Sequence, residues 1–163
     1  MKISIVATTV LTLLTGVALG AEINLPHHKP GLWQNDIVVA GNHATNQQCF
    51  DDASEVKMMA ISKQHCTEHH VTHNANGSWT TTGVCQFVPG RTQTSRSEIS
   101  GDFNSKLTIV SQSTASTTAQ ATMTATWLGP CKPDQRGGDV ITSSGAKVNM
   151  IDMMSGHSPA KMQ

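Results

Sequence analysis

Two groups of residues in this chain have the types and spacing for metal chemistry. The first is His65-Cys66-Thr67-Glu68-His69-His70-Val71-Thr72-His73. On a helix, His65, His69 and His73 would line one face and could chelate zinc or copper. On a strand, His69 and His73 share a face but stand about 13 Å apart at roughly 3.3 Å per residue, while His70 points the other way. The β-branched Val71 and Thr72 and the following Asn76-Gly77 favour the strand, so these imidazoles read as surface groups of a hairpin. The second group is Met150, Met153, Met154 and His157, with Met162 beyond. Thioethers are soft ligands that suit Cu(I) and need no deprotonation. Their plainer role is to cover a little apolar surface. Met58 and Met59 fit the buried face of a short helix.

Nucleophilic chemistry has less support. No Gly-x-Ser-x-Gly elbow, His-Glu-x-x-His pair or phosphate-cradling Gly-rich loop occurs. Asp51, Asp52 and Glu55 sit where a helix should start, so capping and the helix dipole account for them. Asp102, after Gly101, reads as a turn residue. The chain is therefore expected not to be an enzyme.

The four cysteines take their meaning from the first segment. Lys2 precedes an apolar run, and Ala18-Leu19-Gly20-Ala21 offers small residues where a signal peptidase reads. A signal peptide over 1–21 is expected, cleaved after Gly20 or Ala21, with export to the periplasm or beyond. The run is short of the roughly 20 residues of a membrane span and is diluted by Thr8, Thr9, Thr12 and Thr15. Nothing later is long and apolar enough to cross a membrane. In an oxidising compartment Cys49, Cys66, Cys85 and Cys131 should form two disulfides, which removes them as nucleophiles.

Composition narrows the partners. Charged residues make up 13% of the chain, formal net charge is +0, and no basic block is present. Nucleic acid and anionic lipid both call for clustered Lys and Arg, so neither is expected. No oligomeric state is specified. Aromatic residues are only 4% and tyrosine is absent; a thin core of this kind gains from two disulfides, each contributing about 2–4 kcal/mol.

The elements that must position these residues are mostly strands. Strands are expected over 32–40 and 43–50 around a Gly41-Asn42 turn. A capped helix follows over 52–63. A hairpin joins 66–73 to 78–85 through Asn74-Ala75-Asn76-Gly77. With that loop His73 faces Ser78, and counting back brings Cys66 opposite Cys85. This register favours Cys66–Cys85 and leaves Cys49–Cys131, although four cysteines allow three pairings. Further strands are expected over 92–99, 105–111 and 117–128. The last alternates Ala119, Ala121, Met123, Ala125 and Trp127 with Thr118, Gln120, Thr122, Thr124 and Thr126, the pattern of a half-buried strand. Together these predict a mainly β domain over 22–133, an antiparallel meander curled or partly closed around one core. Residues 134–163 read as a flexible tail with a brief helical turn near 148–154.

The order of several short motifs resembles the DUF3617 family of small exported bacterial proteins. They are Lys29-Pro30-Gly31-Leu32-Trp33, Cys49-Phe50 with acidic residues before a helix, and Cys66 and Cys85. Gly101-Asp102-Phe103 and Leu128-Gly129-Pro130-Cys131 complete the set. The resemblance covers about 29–131 and implies a periplasmic, disulfide-containing, β-rich domain with no established activity. The expected function is accordingly a non-catalytic binding or envelope-support module. The alternative is periplasmic copper binding through the Met/His tail and the His-containing hairpin. An enclosed apolar cavity would point instead to carriage of a small lipophilic ligand.

Overall fold

The computed structural model describes residues 24–114 and 120–156. The leader over 1–21, Thr118, Ala119 and His157 lie outside them. The chain opens with a hairpin, β1 (Gly31–Val39) and β2 (Asn42–Phe50). Helix α1 (Asp52–Gln64) follows, then β3 (Cys66–His73), β4 (Trp79–Val88), β5 (Arg91–Asp102), β6 (Lys106–Ser113) and β7 (Ala121–Gly129). The C-terminal part adds β8 (Asp139–Thr142), β9 (Lys147–Asn149) and helix α2 (Met150–Met154). The described strands form one antiparallel sheet in the order β3-β4-β5-β6-β7-β1-β2-β8-β9. It contains the expected meander, from β3 to β7, and it is open: β3 and β9 are its edges.

Register follows the alternating pattern. Trp79 pairs with Ile99, Ile99 with Ile109, Ile109 with Met123 and Met123 with Ile37, which lays an apolar row across one face. Leu107 pairs with Ala125 beside it. The opposite face carries Thr72 against Thr80 and Thr108 against Thr124. Trp33, Ile99, Phe103, Leu107 and Ala125 form the core, and Trp33 and Leu107 are fully buried. Gly31, with φ at 140°, lies where a Cβ would collide with the carbonyl of Gly129, so the ends of β1 and β7 meet closely only because no side chain is there. Asp102 is the expected turn residue: its carboxylate accepts from Asn104 N at 2.9 Å and Ser105 Oγ at 2.9 Å.

Helix α1 starts as its sequence dictates. Asp51 Oδ1 accepts from Ser54 N at 2.6 Å and Ser54 Oγ accepts from Asp51 N at 3.0 Å, a reciprocal cap. Both disulfides form, Cys49–Cys131 with Cα atoms 5.5 Å apart and Cys66–Cys85. The second reaches its register by a detail the sequence did not disclose. The hairpin loop is one residue longer than expected, so His73 pairs with Trp79. A bulge between Cys66 and Glu68 takes up the extra residue and returns Cys66 to Cys85.

The segment after Pro133 corrects the expectation of a flexible tail. β8 pairs with β2 through Asn46–Thr142, Gln47–Ile141 and Gln48–Val140, and β9 pairs with β8. Val140 and Ile151 are buried. Asn149 donates to Asp139 Oδ1 at 2.8 Å, and its own side-chain oxygen accepts from Ile151 N and Asp152 N, capping α2. Strands of four and three residues are too short to show a period; β8 is held by pairing with the distant β2, and β9 by pairing with β8. The helical turn expected near 148–154 is α2.

Candidate functional site

Helix α1 turns Glu55, Met58, Met59 and Ser62 toward the sheet, the i, i+3, i+4, i+7 spacing of one helix face. This face does not close onto the sheet. Between them lies a cavity of about 300 Å3, with Ile99, Phe103, Leu107 and Ile109 as its floor. Val71 and His69 of β3 bound one side and Phe50 another. Asn24, Leu25, Pro26 and His28, from the strap that precedes β1, supply the remaining wall. Ile99, Phe103 and Leu107 of the floor are buried and Ile109 is half-buried, whereas Asn24, Pro26, Lys63 and His69 are exposed and mark the rim. The walls are chiefly aliphatic and aromatic, so the site can bind apolar matter by excluding water.

One carboxylate sits in this apolar wall. The Glu55 side chain is 12% exposed, and its oxygens meet His28 Nδ1 at 2.6 Å and His27 Nδ1 at 3.0 Å. The backbone N–H of His28 also donates to it, at 3.1 Å. Burial pushes the Glu55 carboxyl up, but hydrogen bonds and charge from His28, joined by His27, outweigh it and hold the group below its ordinary value. The His28 ring stacks on Phe50 with centroids 4.7 Å apart and meets Trp33 edge-on at 5.3 Å. Lys29 is fixed separately: its N–H donates to Phe103 O at 2.8 Å and its carbonyl accepts from Trp33 Nε1 at 2.9 Å.

The residues singled out from sequence are dispersed. His69 stands at the cavity rim, while His73 stacks on Trp79 with centroids 4.3 Å apart. Among the described residues, no group of three or more His, Cys, Asp or Glu could hold a metal ion. Met150, Met153 and Met154 lie on α2, which packs against α1, and Met153 is 51% exposed. Met58 and Met59, expected on a buried face, are half-buried and line the cavity. Cys66–Cys85 ties the hairpin that carries His69 and Val71, and Cys49–Cys131 ties the end of β2 beside Phe50. His27, His28 and Glu55 were missed as a group. The available signal was Glu55 itself, which falls on the same helical stripe as Met58, Met59 and Ser62 and so faces the sheet.

Among the described residues no helix is long and apolar enough to cross a membrane. The family model described as "Protein of unknown function (DUF3617)" matches residues 28–131. No curated protein and no solved structure matches the chain.

Proposed function

The chain belongs to the DUF3617 family, and from that premise we propose that it is an exported, non-catalytic binding domain whose cavity holds a small lipophilic ligand. The observation that carries this reading is the apolar space of about 300 Å3 left between α1, the strap and the sheet. Ligand sites span roughly 300–1,000 Å3, and an apolar cavity of about 150 Å3 holds benzene. The space therefore suits a one- or two-ring aromatic or a short acyl chain, and it is too small for a whole phospholipid. Two disulfides support an oxidising compartment, with the periplasm as the proposed location. Organic extraction of the chain purified from its producing cells, followed by mass spectrometry, tests the reading. A stoichiometric lipophile is expected. A clean extract, together with failure to bind neutral apolar probes, would sink it.

A second reading, copper handling, has one observation in its favour. Met150, Met153 and Met154 stand at i, i+3 and i+4 of α2, which places three thioethers on one helix face. Cu(I) titration against a competing chelator tests it, comparing the native chain with a Met150→Leu, Met153→Leu, Met154→Leu variant. Cutting the chain after Pro133 is the wrong comparison, because it also removes β8 and β9.

A further inference from the structure

The walls of the cavity differ in how they are held. The floor belongs to β5 and β6, each hydrogen-bonded to neighbours on both sides, and to the turn between them. Helix α1 is bracketed by the two disulfides, since Cys49 precedes it and Cys66 follows it, both bonded to distant partners. Its first turn is closed by the Asp51–Ser54 cap. Neither wall can swing without unpairing a ladder or straining a covalent tie. The strap is different. Residues 24–28 belong to no strand or helix, yet Asn24, Leu25, Pro26 and His28 complete the enclosure.

The strap is fixed at Lys29. At Lys29 the hydrogen bonds to Phe103 O and from Trp33 Nε1 are joined by the ammonium lying 3.6 Å from the Trp127 ring centroid. Before Lys29, among the described residues, the Glu55 carboxylate holds the strap by taking both imidazoles and the His28 N–H. Leu25 and the His28–Phe50 stack add apolar contact. This is the layout of a flap hinged at Lys29 and latched to the helix.

We propose that residues 24–28 are the gate of the cavity, and that the Glu55 latch on His27 and His28 sets how fast a lipophilic ligand enters and leaves. This rests on the cavity being the binding site. A latch on a moving wall changes both rates together, because it acts on the barrier that ligand crosses in either direction. A residue that only lines the site changes affinity through the release rate.

The test is stopped-flow fluorescence with the neutral probe N-phenyl-1-naphthylamine on the native chain, Glu55→Gln and His27→Ala. Glu55→Gln removes a charge-assisted hold, so uptake and release should each quicken by about tenfold or more; the dissociation constant should stay nearly unchanged in His27→Ala, whose side chain does not line the cavity. His27→Ala, at a side chain 50% exposed, should quicken both by roughly threefold and carries the test if the first variant fails to fold. Unaltered rates in the variants, or a change confined to release, would overturn the gate while leaving the binding reading intact. A native chain that takes up no probe would overturn the binding reading, and the gate with it.

Discussion

The space beneath α1 and the C-terminal β8–β9–α2 unit solve opposite problems on one sheet. In the C-terminal unit, buried polar groups satisfy one another. Asp139, 4% exposed, accepts from Asn149 Nδ2 and Arg136 N and lies near the Arg136 and Lys147 cations. A cleft of about 460 Å3 lies there too, but charged groups already paired with one another line it, Arg136, Asp139, Lys147 and Asp152 among them. Beneath α1, the single buried carboxylate is satisfied by two imidazoles of the strap, and the surplus is apolar: walls that packing has not brought together. The contrast separates groups that hold the fold from surface that remains available for binding.

Four substitutions or conditions sharpen that contrast. Leu107→Ala should have the largest effect, because it deletes a side chain that is fully buried at the cavity floor. A loss of about 2–5 kcal/mol is expected on denaturant unfolding; under 1 kcal/mol would mean that the floor is not packed as described. Asp139→Ala should cost about 1–3 kcal/mol by removing the buried acceptor that Asn149 Nδ2 and Arg136 N share. Probe binding should survive it, and loss of binding would dissolve the division between the two regions.

Acid should act on the cavity side through Glu55. The groups facing its carboxylate are His27 and His28; the other ionisable groups of the wall are Lys63 on α1 and His69 on β3, and the floor presents the apolar Ile99, Phe103, Leu107 and Ile109. A carboxyl held below its ordinary value stabilises the fold above the unfolded-state value of 4.5, and that contribution is lost as pH falls through the lower folded value. The stability gap between the native chain and Glu55→Gln should therefore narrow below about pH 4.5. A gap that is constant from neutral to strongly acid pH would show that the latch does not depend on charge. Ile109→Trp should have the smallest effect on stability, less than about 1 kcal/mol, because its bulk enters existing space instead of a filled core.

Much of the frame was legible in the sequence because its signals are local. The Asp51–Ser54 cap located α1, the alternation through Ala121–Trp127 marked β7, and Asn76-Gly77 marked the turn between β3 and β4. The cysteine pairing came from counting register, although a bulge at Thr67 was needed to make that count true. The cavity was not legible, since it depends on how far a helix stands from a sheet. The latch was hidden for a related reason: His27 and Glu55 are 28 residues apart and meet only through the fold. β8 escaped because its partner β2 lies more than ninety positions away in sequence, and β9 because, among the described strands, it pairs only with β8.

The central claim is that the space beneath α1 is a binding site, and equilibrium titration with N-phenyl-1-naphthylamine of the native chain beside Ile109→Trp tests it most directly. Saturable one-to-one binding by the native chain, weakened at least about tenfold by the filled variant at unchanged stability, is the result expected of a ligand cavity. Equal binding by both chains, or none by the native chain, would contradict it.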